Sequence, residues 1–404
     1  MLLKESIHNA VLSQKETLRK NENIIVRELS SKIKFQNKFA VIISGIRRCG
    51  KSTLMRSIAI KNKPFNYINF DDPRLTGFEL ADFERLEKVF MEVGGKAENY
   101  FFDEIQSVDK WEIYIRKLLE QNKYVVITGS NASLLSRELG TKLTGRNLRY
   151  ELFPFSYAEF LLFSKKKEGI SSFKEYLTEG GFPDYILLKE PRILHDLLID
   201  SLYRDIAIRH KVRNVKELHD LAIFLVSNTS KEFSFNSLRK MFNIGSTGSV
   251  SKYISYFEES YLLFTLSKFD YSLKKQLVNP KKIYAVDNGL IAQNSKSFTD
   301  DLGRLLENAV FIGLKSKQKE LFYFKDKNEC DFVVKFGSGI GECYQVCYEL
   351  NDFNKEREIA GLLEALDKFN LKEGYILTFE QEDEHVVDKK RVIIMPVWKW
   401  LLAQ

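Results

Sequence analysis

Eight residues, Gly45-Ile-Arg-Arg-Cys-Gly-Lys-Ser52, restrict this chain more than any other stretch. They match G-x-x-x-x-G-K-[ST], the phosphate-binding loop, a pattern that works in one setting: an apolar strand running in and a helix starting directly after. Phe39-Ala-Val-Ile-Ile-Ser44 reads as that strand and Thr53-Leu-Met-Arg-Ser-Ile-Ala-Ile60 as that helix. Gly45 and Gly50 allow backbone conformations and a close approach that a side chain would block. The loop N–H groups, through Ile46, Arg47, Arg48 and Cys49 to the helix start at Ser52 and Thr53, then face the phosphates of a nucleotide. Lys51 is placed to bridge the β- and γ-phosphates and Ser52 to ligate Mg²⁺.

A second signature is expected on another strand, an apolar run ending in an acidic pair. Tyr100-Phe-Phe-Asp-Glu104 supplies it. Asp103 would hold the Mg²⁺ shell and Glu104 would polarise the attacking water. A third strand, Lys123-Tyr-Val-Val-Ile-Thr-Gly-Ser-Asn131, ends in small polar residues. Ser130 or Asn131, with Thr128 as runner-up, would sense the γ-phosphate; plain capping of the next element is the competing reading. Phe65–Phe70 and Asn147–Leu152 complete the strands, with helices at about 50–61, 79–92, 110–121 and 156–164. Alternating strands and helices predict a mostly parallel α/β sheet with its ligand at the strands' C-terminal ends. Thr144-Gly-Arg146 offers an arginine to a neighbouring subunit's γ-phosphate; a solvated basic loop explains it equally well.

The 404 residues allow two or three domains, and 44% hydrophobic with 29% charged content is ordinary for a globular protein. No apolar stretch reaches membrane-span length and the N-terminus lacks a signal-peptide core, so no membrane partner and a cytoplasmic location are expected. Cys49, Cys330, Cys343 and Cys347 form no disulfide framework and read as small buried hydrophobes. The net charge of +7 is uneven: residues 1–60 hold 12 basic and 4 acidic side chains, residues 231–282 hold 9 and 4, and residues 301–404 hold 15 and 19. Attraction to nucleic acid is thereby confined to the N-terminal arm and the middle of the chain.

The phosphate loop, Phe-Phe-Asp-Glu-Ile-Gln106, Ile-Thr-Gly-Ser-Asn131, Thr-Gly-Arg146 and Leu-Phe-Pro-Phe-Ser-Tyr-Ala-Glu-Phe160 occur in one order. So do Gly180-Gly-Phe-Pro183, Tyr203-Arg-Asp205, Tyr284-Ala-Val-Asp-Asn-Gly-Leu290 and Leu306-Glu-Asn308. Together, from about residue 20 to 400, the chain resembles a large family of prokaryotic AAA-type ATPases. Members carry a C-terminal region of unassigned function with a fold like that of restriction nucleases. The expected fold is an α/β P-loop AAA-type parallel sheet with a helical lid, then a winged helix, then a restriction-nuclease-like α/β domain. The expected boundaries are 1–152 for the ATPase core with its arm, 153–215 for the lid, 216–290 for the winged helix and 291–404 for the nuclease-like domain.

Within 216–290 the third helix, Val250–Glu259, is the expected recognition element, with Lys252, Tyr253, Lys274 and Lys275 in reach of phosphates. Glu258 and Glu259 on that helix favour a protein partner instead, so both stay open. In the tail, such nucleases need Glu, Asp and Glu-x-Lys to hold Mg²⁺. Glu307 and Asp331 are present, but Gln345 and Cys347 stand where the second carboxylate and the lysine belong, so the expectation is an inactive scaffold. Glu349 shares the strand face by alternation and is the one carboxylate that could compensate. The function expected is an Mg²⁺-dependent ATPase whose ATP state controls binding of DNA or a protein client, with nucleotide-dependent homo-oligomers. A slow-hydrolysing switch is the alternative, and an ATP-regulated nuclease a more distant one.

Overall fold

The computed structural model describes residues 1–19, 25–130, 143, 145–296 and 301–403. The expected Asn131 and Thr144 lie outside them. The chain divides into two compact units, Met1–Leu152 and Phe153–Gln404.

The first unit is a five-stranded parallel sheet of β1 (Ala40–Ser44), β2 (Phe65–Asn69), β3 (Asn99–Asp103), β4 (Tyr124–Gly129) and β5 (Asn147–Glu151). The order across the sheet is β2-β3-β4-β1-β5, consistent with a P-loop AAA fold. Every residue of β1 is buried, which explains its unbroken apolar sequence: helices cover both faces, so alternation is unnecessary. Between the strands run α2 (Lys51–Lys61), α3 (Phe83–Gly94) and α4 (Trp111–Glu120). The last two carry their apolar residues at helical spacing and bury Phe83, Leu86, Val89, Tyr114, Ile115 and Leu118. Phe83 stacks on Tyr114 with ring centroids 4.0 Å apart.

The basic N-terminal arm differs from expectation. It forms a helix, α1 (Lys4–Arg19), that buries Ile7, Ala10 and Val11 in the same core. Lys15 donates to the Val93 carbonyl at 2.7 Å and Lys4 pairs with Glu92 at 2.5 Å. Two of its cations are thus engaged within the fold, which weakens the case for a free nucleic-acid arm. Periodicity was the available signal, and it was masked by the high local charge.

The second unit begins with α5 (Tyr157–Ser164), α6 (Ile170–Glu179), α7 (Pro183–Leu188) and α8 (Arg192–Asp200), the last running on into a π-helical segment, Ser201–Ile208. Then come α9 (Val215–Ser227), β6 (Glu232–Phe233), α10 (Phe235–Met241), α11 (Thr247–Glu259), β7 (Leu263–Ser267), α12 (Leu273–Val278) and β8 (Lys281–Ala285). Their three strands form an antiparallel sheet in the order β6-β8-β7. After α13 (Asn288–Asn294) and α14 (Leu302–Ser316) follow β9 (Glu320–Lys325), β10 (Glu329–Phe336), β11 (Gly339–Val346), α15 (Lys355–Lys368), β12 (Glu373–Thr378), β13 (Asp383–Val387), β14 (Lys390–Pro396) and α16 (Val397–Ala403). The six strands make one mixed sheet in the order β13-β14-β12-β11-β10-β9.

Three of the family-like motifs of this unit meet in one buried network. Asp287 caps α13 by accepting from Gly289 and Leu290 N–H, and also accepts from Gly181 N–H at 2.6 Å. Asn288 donates to the Leu177 and Leu305 carbonyls, and Asn308 donates to Asn288 at 2.8 Å. These residues serve the fold, because a buried polar group must find partners. Among the described residues no helix is long and apolar enough to cross a membrane.

Candidate nucleotide site

Strand order builds the site. The loop leaves the C-terminal end of β1 and the acidic pair leaves that of β3, with β4 between them. Two strand spacings, roughly 10 Å, separate them, enough to seat a phosphate and its counter-ion. A Cβ on Gly45 would lie 2.1 Å from the Leu152 carbonyl oxygen, so only glycine fits where the loop passes the end of β5. Gly50 has φ 100°, a conformation that favours glycine, and it opens α2 without a side-chain cap. The first N–H groups of α2 are therefore left to an anion.

Lys51 is 4% exposed. Its ammonium donates to the Gly45 and Ile46 carbonyls at 3.0 Å each and lies 3.9 Å from the Glu104 carboxylate. Asp103 is fully buried and accepts from the Thr128 and Ser52 hydroxyls and from Tyr67 Oη, the last at 3.1 Å. Burial pushes its carboxyl above the ordinary range, with Glu104 adding; the hydrogen bonds from Thr128 and Ser52 act against this. Glu104 sits in the left-handed region at φ 51° and its carboxylate accepts from Gln106. Thr128 Oγ1 also accepts from Glu104 N–H at 3.1 Å, so this one hydroxyl on β4 fixes both acids. Ser130 is buried at the end of β4. Ile46 and Cys49 are buried, Arg47 is half-buried, and Arg48, Ser52 and Thr53 are exposed. Burial raises the Cys49 thiol, against Lys51 and Arg27, so the loop cysteine is no reactive thiolate.

Sequence reading missed four contributors. Arg27, 5% exposed, donates to the Cys49 carbonyl at 2.8 Å and braces the loop from behind. Tyr67 and Gln106 orient the acidic pair, and Gln106 was visible only as part of a family-like motif. Asp71, beyond β2, is raised by burial and then by Glu104, with Arg47 opposing. It therefore shares the field of the same site.

Arg146, expected to serve a neighbouring subunit, lies away from the loop of its own chain. Its carbonyl accepts from Ala40 N–H at 3.0 Å, at the start of β1, while the loop follows the end of that strand. Five residues of strand, roughly 16 Å, intervene. Arg146 is exposed there.

In the second unit Lys252, Lys274 and Lys275 are exposed and Tyr253 is half-buried. The last two lysines lie on the short helix α12, and Lys275 lies 3.7 Å from Asp270. Glu258 accepts from Thr265 N–H and hydroxyl at 3.0 and 2.7 Å, so it braces β7 and does not point at a partner. Glu259 lies 3.5 Å from His210.

Glu307, Asp331 and Gln345 come together, and a residue not foreseen joins them. Lys282 on β8, 3% exposed, places its ammonium 3.0 Å from Glu307, 2.7 Å from Glu329 and 2.8 Å from Asp331. Tyr284 Oη donates to Glu307 at 2.7 Å, and Val346 N–H to Asp331 at 3.0 Å. Gln345 accepts from Asp331 N–H and donates to Glu358 at 2.6 Å. The Cys347 thiol donates to the Glu349 carbonyl and accepts from Asn354, and Glu349 is exposed, so neither completes the cluster. Burial pushes Glu307 up to about 7 against the pull of Lys282. For Lys282, burial alone would lower the ammonium; Asp331 and Glu307 outweigh it and hold it well above its ordinary value. All four cysteines are free and buried, and no group of metal-ligating side chains stands out among the described residues.

Comparison with known proteins agrees with the first unit's geometry. Residues 37–161 match a family described as "AAA domain", and residues 170–301 match a "domain of unknown function". The chain is 36% identical to the uncharacterized protein MJ1544 of Methanocaldococcus jannaschii over 438 residues, covering 100% of this chain and 97% of that protein. It is 29% identical to an uncharacterized protein of Haemophilus influenzae over 381 residues, covering 89% and 94%. A structure of the replication initiator DnaA bound to AMPPCP and single-stranded DNA is similar at 14% identity and a TM-score of 0.29, covering 63% of this chain and 86% of that one. A likeness that low adds nothing about this chain. With a full-length relative at 36% identity and an AAA domain over the phosphate loop, the chain belongs to the P-loop AAA-type family that includes the archaeal protein MJ1544.

Proposed function

We propose that the protein binds and hydrolyses ATP with Mg²⁺, and that its ATP state controls binding of DNA or a protein client by the second unit. The observation that carries this is the convergence of Lys51, Ser52, Asp103 and Glu104 at the C-terminal edge of one parallel sheet. Ser52 and Asp103 offer hard oxygen donors already joined by a hydrogen bond, a donor set that fits Mg²⁺. The ion would supply charge neutralisation at the β- and γ-phosphates. Lys51 binds those phosphates, its ammonium leaving the Gly45 and Ile46 carbonyls for them. Glu104 accepts the proton of the attacking water, and Thr128, Tyr67 and Gln106 keep the two acids in register. Ser130 and Asn131 remain candidates for sensing the γ-phosphate, and Arg146 for supplying a guanidinium to a neighbour in a nucleotide-dependent homo-oligomer.

The order α9-β6-α10-α11-β7-α12-β8, with β8 between β6 and β7 in the sheet, supports a winged helix at 216–290. The order α14-β9-β10-β11-α15-β12 supports a restriction-nuclease-like core at 291–404. Residues 153–215 would form the helical lid and 1–152 the ATPase core. The inward engagement of Glu258 favours α11, with Lys252 and Tyr253, as a surface for DNA. The nuclease-like core would be inactive, since Gln345 carries no charge. Purified Lys51→Ala should lose binding of a fluorescent ATP analogue; retained binding would overturn the proposal. Mobility shifts with duplex DNA over a salt series, with and without ATP, separate the two partner classes: binding through phosphates weakens steeply with salt.

A further inference from the structure

The cluster around Lys282 has the outline of a cation site, but its cation belongs to the chain. We propose that the Lys282 ammonium takes the central position among Glu307, Glu329 and Asp331 and, on the nuclease-like reading of 291–404 on which this part of the inference rests, the place where a divalent cation would sit in an active enzyme. In doing so it fastens β8 to β10 and α14 without any metal.

Three observations carry the inference. An ammonium has three donors, and each finds one carboxylate, at 2.7, 2.8 and 3.0 Å. Those separations suit N–H···O bonds and are longer than the 2.0–2.6 Å or so of magnesium and calcium ligands. Second, the Lys282 backbone is fixed: it pairs with Leu266 on one side and Glu232 on the other, in the middle of the three-stranded sheet, and the side chain is buried. Third, the neighbouring groups are already used. Tyr284 donates to Glu307, Val346 N–H to Asp331, and both ends of the Gln345 amide are occupied by Asp331 N–H and Glu358. Lys282 thus brings a positive charge to these carboxylates from β8, a strand well before β10 in the chain.

The test is thermal unfolding of the full chain in EDTA and in millimolar Mn²⁺, for wild type, Asp331→Asn and Lys282→Ala. Removing one partner of a buried ionic cluster leaves uncompensated charge, so Lys282→Ala should lower Tm by about 10 °C in EDTA. The vacated carboxylates should then take Mn²⁺, giving a metal-dependent rise in Tm that the double variant Lys282→Ala, Asp331→Asn loses. Wild type should show no Mn²⁺-dependent rise that Asp331→Asn removes. Such a rise in wild type would overturn the proposal, and this arm does not depend on Lys282→Ala folding. A folded Lys282→Ala with the wild-type Tm would overturn it as well.

Discussion

Thr128→Val is the sharpest probe of how the acidic pair is held. Valine keeps the volume and β-branching of threonine, so the packing of β4 survives and only the hydroxyl is lost. That hydroxyl donates to the buried Asp103 carboxylate and accepts from Glu104 N–H. A hydrogen bond to a buried charge contributes about 1.5–3 kcal/mol, and an orphaned buried N–H costs about 1–3 kcal/mol. The expected loss is about 3 kcal/mol, or a fall in the first unit's Tm of about 9 °C. The loss should also depend on pH with a defined sign. The Asp103 carboxyl is raised by burial, and the Thr128 bond is the largest factor opposing that rise. Without it the proton is held more firmly, and a protonated Asp103 needs no donor. The deficit should therefore be full near neutral pH and shrink as the pH falls toward the carboxylate range. Denaturant titration of both proteins over that range, with ATP turnover followed in parallel, reads both effects; the acidic limb of turnover should move to higher pH. A deficit below about 0.5 kcal/mol, or one that does not change with pH, would refute the reasoning.

Asp287 gives a second pH signature. Burial pushes its carboxyl up to about 6 from 3.8, so its stabilisation is complete below the lower value and is lost as pH rises through the upper one. The difference in unfolding free energy between wild type and Asp287→Asn should narrow by about 3 kcal/mol over that window, and parallel denaturation curves would contradict this. The four cysteines should resist a disulfide reagent in the native protein and react together on unfolding, because all are buried and burial pushes Cys347 up to about 11. If Arg146 acts on a neighbour, Lys51→Ala and Arg146→Ala, each deficient alone, should regain part of the turnover when mixed; a mixture no better than its parts places Arg146 outside the chemistry.

The parallel sheet was legible because β1 and β4 are buried apolar runs and helical periods lie between the strands; β2 alternates and β5 is half-buried throughout. The loop and Asp103-Glu104 were legible because their chemistry demands fixed residues at fixed spacing. What holds them was not: Arg27, Tyr67 and Thr128 act across the sheet, and nothing local marks a tyrosine or threonine as a partner of a distant carboxylate. Lys282 is the clearest case. In sequence it is one of two lysines opening a strand, with the look of a solvated or phosphate-binding pair. Only the pairing of β8 with β6 and β7, and the approach of α14 and β10, turn it inward. The α12 helix was missed for a different reason: it is only six residues long, too short for a helical period to stand out, and its apolar residues Leu273, Leu277 and Val278 are exposed.

The central claim is that Glu104 activates water in a site that Lys51, Ser52 and Asp103 assemble. Glu104→Gln removes the base and keeps the size and the left-handed backbone position. With Mg²⁺ and ATP, its turnover should fall by about 10²–10⁴-fold while nucleotide affinity stays within a few-fold of wild type. Turnover equal to wild type at unchanged affinity would contradict the account.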